Sequence, residues 1–121
     1  LYTERGDEIV FDDFRDEKSI YIKVKDKGLV VLTGCGHTGV MNTLENAQSL
    51  SGVREVYALI GGLHMNWASQ QRVSETIEKL KEVNPEILSP LHCSGVKFVA
   101  SLLNKLPEKT VVSAVGTTFN L

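Results

Sequence analysis

Aspartate runs out early in this chain: none follows Asp26, and the 121 residues hold only three histidines, two cysteines and one tryptophan. Each scarcity excludes something. Two cysteines do not make a disulfide-stapled scaffold, and with 42% hydrophobic residues the chain forms one domain around an ordinary core instead. No apolar run is long enough to span a bilayer. No signal peptide is visible, so a cytoplasmic location is expected. The net charge is −2, and the basic residues are dispersed; Lys23, Lys25 and Lys27 alternate like the wet face of a strand. That balance gives no electrostatic drive toward nucleic acid or a membrane. A hard two-metal site needs carboxylates, and around the histidines none is close in sequence.

What the chain does have is a repeated placement of its histidines. Each ends a short apolar run and precedes a helix-like stretch: Leu32-Thr33-Gly34-Cys35-Gly36-His37, Leu59-Ile60-Gly61-Gly62-Leu63-His64 and Leu88-Ser89-Pro90-Leu91-His92. The separations are 27 and 28 residues, about one strand–helix unit each. If the strands are parallel neighbours, the three imidazoles emerge along one sheet edge, at the carboxyl ends where ligands gather in open α/β sheets. Imidazole is the commonest metal ligand. Three imidazoles can hold one Zn²⁺ with a position left for water.

The periodicity predicts the elements. Residues 1–18 are polar and turn-rich, and the acidic cluster Asp12, Asp13, Asp16, Glu17 reads first as a solvated turn, with a role near the site as the alternative. Ser19–Lys25 alternates as a half-buried strand, Asp26-Lys27-Gly28 is a hairpin turn, and Leu29–Leu32 is a strand covered on both faces. A helix is expected over Val40–Leu50, a strand over Val53–Ile60, and a helix from a Ser69 cap to Val83, stopped by Asn84-Pro85. A strand follows at Ile87–Leu91, then a helix capped by Ser94 and ended by Pro107, then a strand at Thr110–Val115. The order β-β-α-β-α-β-α-β means an α/β domain with helices packed on a largely parallel sheet.

His37 sits among glycines, so its backbone can approach a ligand closely. His92 stands beside Ser94-Gly95 at a helix start, where an anionic substrate could bind. His64 reads as a ligand, a proton shuttle or a substrate contact, and is the candidate catalytic residue. Trp67 is either core or lid. Cys35 and Cys93 each lie beside a candidate ligand histidine; buried thiols, direct ligation and a disulfide between the two loops all stay open.

The motifs Gly34-Cys35-Gly36-His37-Thr38-Gly39, Gly61-Gly62-Leu63-His64 and Pro90-Leu91-His92-Cys93-Ser94-Gly95, with Asp12-Asp13-Phe14-Arg15-Asp16-Glu17 upstream, together resemble the metallo-β-lactamase superfamily. The nearer likeness is to its "beta-lactamase superfamily II" branch of metal-dependent hydrolases, some of which carry the label of a dihydropterin ribofuranosylaminobenzene phosphate synthase. The resemblance implies that residues 1–121 are one domain, the C-terminal half of an αββα sandwich with a mixed sheet and helices on one face. The N-terminal half, with its His-x-His-x-Asp-His motif, is absent. It implies a divalent metal, zinc first, with His37 as ligand of one ion and His92 as the last histidine ligand, on another. His64 stands in the stretch where the superfamily commonly has a bridging aspartate. It further implies a hydrolase, in which a metal-bound hydroxide attacks an ester or phosphoester, acting on a small anionic substrate. The chain alone is then expected to be inactive. It would pair with its missing half or with a second copy through an open sheet face that exposes Leu29, Val31, Tyr57 and Leu59. The alternatives are a non-catalytic fragment or degenerate binding module, and a flavodiiron-like oxidoreductase.

Overall fold

A computed structural model describes residues 2–121. A small antiparallel hairpin comes first, β1 (Tyr2–Arg5) paired with β2 (Glu8–Phe11). A four-stranded sheet follows in the order β3 (Ser19–Val24), β4 (Gly28–Thr33), β5 (Val56–Gly62), β6 (Ile87–Leu91). β3 runs antiparallel to β4 across the tight turn at Asp26, and β4, β5 and β6 are parallel. The helices α1 (Val40–Ser51), α2 (Gln70–Val83) and α3 (Val96–Lys105) make the crossovers or close the chain, and a 3₁₀ turn (His92–Ser94) precedes α3. Among the described residues no helix is long and apolar enough to cross a membrane.

One face of the sheet carries the core. Leu29, Val31, Leu59 and Leu88 join Leu44 and Ala47 of α1, Val73, Ile77 and Leu80 of α2, and Phe98 and Leu102 of α3 in one buried cluster. All three helices therefore lie on the same side. Side chains alternate across a strand, so Ile20 and Ile22 point to the other side, where they are 59% and 40% exposed. The open face was expected to show Leu29, Val31 and Leu59; these are fully buried. On the opposite face only the edge strand β3 is exposed, at Ile20 and Ile22; Val30, Ala58 and Ser89 on that face are buried. A run covered on both faces does not reveal which register faces the helices.

Other elements also depart from the sequence reading. The polar N-terminal stretch forms the β1–β2 hairpin, because Gly6 supplies the positive φ of its turn. β5 begins three residues later than expected, since Val53 N–H donates to the Ser51 hydroxyl. Ser94 does not cap α3, whose N-cap is Gly95 with no side-chain bond. Its hydroxyl is buried instead, accepting from Leu63 N–H at 3.1 Å and donating to Leu91 C=O at 2.7 Å. The expected last strand reduces to a bridge from Thr110 to Leu88. Beyond Val111 the chain turns on itself through Ala114 and Thr117. Ser69 does cap α2, accepting from Arg72 N–H.

Candidate active site

β4, β5 and β6 end level with one another: Thr33 pairs with Gly61, and Gly61 and Gly62 pair with Pro90 and Leu91. The loops bearing His37, His64 and His92 thus leave the same sheet edge. What lets them crowd together is Gly61-Gly62. A Cβ on Gly61 would stand 2.1 Å from Thr33 C=O, and one on Gly62 2.2 Å from Gly34 C=O. Without side chains the two strand ends continue to pair, with Gly62 N–H donating to Gly34 C=O and the Thr33 hydroxyl donating to Gly62 C=O.

The side chains gather as two neighbouring clusters. In the first, the rings of His37 and His64 meet edge to face with centroids 4.6 Å apart. His37 is fixed from both sides. Phe14 stacks on it at 4.6 Å. The Glu17 carboxylate accepts from the backbone N–H of His37 at 2.8 Å and of Thr38 at 3.0 Å. Nδ1 of His37 lies 3.4 Å from the same carboxylate. Burial opposes the charge on Glu17, yet the amide donors of Thr38 and His37 outweigh it and hold the carboxyl below its ordinary value. His64 is less well provided. Its Nδ1 is buried with no hydrogen-bond partner. Desolvation first, and then the neighbouring His37, push its pKa below the ordinary value, so it stays neutral.

In the second cluster, Cys35, His92 and Cys93 offer two sulfurs and one ring nitrogen, all within 4.8 Å of one another. His92 Nε2 is 3.1 Å from Cys35 Sγ, and the Cys93 thiol donates to Cys35 C=O at 3.1 Å. Both thiols are free. Burial, and then Cys93, raise the pKa of Cys35. Among the described residues this is the one group of three or more histidine, cysteine or carboxylate donors gathered that tightly. The structure thus brings His37 and His64 ring to ring and turns His92 toward sulfur.

Sequence reasoning missed Phe14 and held a role near the site only as the second reading of the cluster that contains Glu17. The acidic cluster is partly a solvated turn, with Asp13 bonded to Arg5 and Arg15, but its last member reaches the site. Phe14 is presented by an Asx turn, its N–H donating to the Asp12 carboxylate, and takes a positive φ of 53°. The sequence signal was an aromatic set among acids. Trp67 is 75% exposed and stands 5.5 Å from His64, so it belongs to the rim and not the core. A cavity of about 440 Å³ opens beside the histidine pair, lined among others by His37, His64, Trp67, Arg72 and Lys79.

The donor set suits a divalent cation. Two imidazoles in contact, one with a buried nitrogen lacking a partner, and a trio of two cysteines and a histidine that includes Cys35, two residues before His37, are ligand types that such ions take.

No family model matches the chain. A solved structure does: the crystal structure of Tm1679, described as a metal-dependent hydrolase of the beta-lactamase superfamily. It superposes with a TM-score of 0.91 at 27% identity over 99% of this chain. This chain has a partial β-lactamase-superfamily fold. In Methanocaldococcus jannaschii, the 7,8-dihydropterin-6-methyl-4-(beta-D-ribofuranosyl)-aminobenzene-5'-phosphate synthase is 35% identical over 108 residues, 89% of this chain. An uncharacterized protein of the same organism is 29% identical over 110 residues, 84% of the chain. The chain spans only 36% and 41% of these two relatives, and 46% of the solved neighbour. The β-lactamase-superfamily likeness read from the histidine motifs therefore holds in both sequence and fold, over part of the length of these relatives.

Proposed function

We propose that this β-lactamase-superfamily segment contributes one side of a metal-dependent hydrolase site acting on an ester or phosphoester of a small anionic molecule. The observation that carries the reading is the orphaned Nδ1 of His64, buried against the His37 ring at the carboxyl edge of the parallel strands. A nitrogen buried without a partner costs about 1–3 kcal/mol, and a cation satisfies it.

His37 and His64 would hold the ion, zinc being the first candidate, with His92 and its thiol neighbours beside them. A divalent ion bound there supplies Lewis acidity and brings the pKa of water toward neutrality. The chain's own residues do the positioning. Glu17 and Phe14 fix the His37 ring, as carboxylates behind metal-ligating histidines do. His64 Nδ1, kept neutral by its surroundings, retains its lone pair. Trp67 shields one side of the cavity.

The remaining ligands come from a complementary segment. Ile20 and Ile22, exposed on the edge strand β3, are the surface on which that segment, or a second copy of the chain, would pack. The test is metal content and turnover of a nitrophenyl phosphodiester or ester by the complete protein. His37→Ala and His64→Ala should each lower metal affinity at least tenfold and abolish chelator-sensitive turnover. Unchanged metal content in both variants would remove the assignment.

A further inference from the structure

Two cysteines meet across the end of β5. Cys35 follows β4 and Cys93 sits in the 3₁₀ turn after β6, so in the sheet order they stand on either side of Gly62. Gly62 has no side chain to keep them apart: a Cβ there would lie 2.9 Å from Cys35 Cα and 3.1 Å from Cys93 Sγ. The Cys93 thiol already rests on Cys35, donating at 3.1 Å to its carbonyl oxygen, an atom two bonds from the Cys35 Cα. The two sulfurs are within 4.8 Å of one another. Both thiols are free and only part-buried, so a small oxidant reaches them. Thiols kept as apolar filler lie deep in a core; these two lie at the sheet edge, beside an exposed His92.

We propose that Cys35 and Cys93 form a reversible disulfide switch, whose closure withdraws both sulfurs from the donor set at this sheet edge. Turning the side chains about Cα–Cβ brings the sulfurs from non-bonded contact to the ~2.05 Å of an S–S bond. The oxidant is a low-molecular-weight disulfide. One cysteine sulfur attacks it and expels one thiol; the second cysteine attacks the mixed disulfide and expels the other. One S–S bond forms for the one broken, two electrons pass to the oxidant, and the two cysteine protons leave on its two thiols. Closure draws the Cys35 sulfur, now 3.1 Å from His92 Nε2, toward Cys93. Neither sulfur then offers the thiolate that such ions take, and His92 is the one donor of the trio that remains. The bond also ties the loop of His37 to the loop of His92, across 58 residues of chain. Partly exposed disulfides are the readily reduced ones, which makes the step reversible. Bond formation is independent of the hydrolytic reading; the effect on a bound ion rests on it.

The complete protein, in chelator, is treated with glutathione disulfide, alkylated, digested and read by mass spectrometry. The Cys35 and Cys93 peptides should be found joined, and a phosphine reductant should return both as alkylatable thiols. Cys35→Ser and Cys93→Ser should each stop at the glutathione adduct of the remaining cysteine. After oxidant and chelator are removed, calorimetric titration should show zinc bound about tenfold more weakly by the oxidised protein than by the reduced. In Cys35→Ser/Cys93→Ser, shown to be folded by unchanged circular dichroism, the same treatment should leave zinc affinity within threefold. Separate adducts on the two cysteines, sulfinic acid, or links to a second molecule overturn the switch. So does a disulfide that leaves zinc affinity within threefold of the reduced protein, zinc binding in neither form, or an equal response in the double variant. Absence of ester or phosphodiester turnover in the reduced, zinc-loaded protein sinks the hydrolytic reading alone; the joined peptides and the zinc difference still support the switch.

Discussion

His37 and His64 touch, yet they are held in opposite ways. His37 is stacked by Phe14, bonded through its backbone to Glu17 and approached by the same carboxylate at its ring. His64 has a buried nitrogen with no partner and a backbone φ of 47°, a left-handed conformation uncommon for a side-chain-bearing residue. One imidazole is locked by residues brought from the start of the chain. The other carries unsatisfied valence and local strain, the kind that collects at functional sites. The pair teaches that positioning and reactivity are divided between neighbouring residues. The division can be broken at several places.

The largest effect is expected where both loops depend on one backbone. Gly62 stands against Gly34 C=O, Cys35 Cα and Cys93 Sγ, and a methyl group there would lie 2.2 Å from the carbonyl. Gly62→Ala should separate the strand ends and cost about 3 kcal/mol or more, measured by urea denaturation. Gly34→Ala meets nothing within 4 Å and should stay within about 0.5 kcal/mol. Equal losses in the two variants would show that close approach at the Gly61-Gly62 pair is not what holds the loops.

Next in size is metal affinity. His64→Ala should reduce it at least tenfold, and Glu17→Gln, which acts through His37, by about tenfold. Cys93→Ser tests whether the two clusters are one centre. Loss of the same ion from both His64→Ala and Cys93→Ser, followed by calorimetric titration, would merge them. An effect within threefold for Cys93→Ser would keep the histidine pair separate.

Acid stability separates the two histidine environments in a third way. The folded pKa of His64 lies below its unfolded value of ~6.5, so the unfolded chain binds the extra proton. That contribution is fully present above about pH 6.5 and is lost as pH falls through the folded pKa. Glu17 is likewise depressed, its amide bonds outweighing desolvation. Its contribution is present above about pH 4.5 and is lost lower down. Thermal melts of the metal-free chain should therefore fall in two stages on acidification. His64→Gln should remove the upper stage and Glu17→Gln the lower. A single stage insensitive to both would contradict the burial of His64 and the amide bonds to Glu17.

Much of this was legible in the sequence, and the failures share a cause. The α/β order, the ends of α1 and α2, and the return of three histidines to one sheet edge all follow from local signals: helical spacing, the Ser69 cap, Gly52 and Asn84 in left-handed conformation. Contacts between distant segments were not legible. Glu17 reaches His37 across 20 residues, and Ser94 gives its hydroxyl to Leu63, 31 residues away, in place of its own helix. Nor could periodicity tell that Val31 and Leu59, and not Ile20 and Ile22, lie under the helices. The likeness to a superfamily placed the histidines, but only geometry supplied the carboxylate that the loops lack.

The smallest predicted effect is also the most specific to the comparison. Removing either imidazole can be done with alanine or with glycine, and the backbone decides which is better tolerated. At His64, alanine inherits the positive φ, which a Cβ disfavours by about 1 kcal/mol, so His64→Gly should be the more stable of the two. His37 is not among the residues with positive φ. There glycine only adds freedom to the unfolded chain, so His37→Gly should be less stable than His37→Ala by about 0.4–1 kcal/mol. The two sites thus predict differences of opposite sign, read from the same denaturation experiment on four variants. Agreement in sign would mean that His64 is not strained, and the contrast between a locked and a strained imidazole would lose its backbone half.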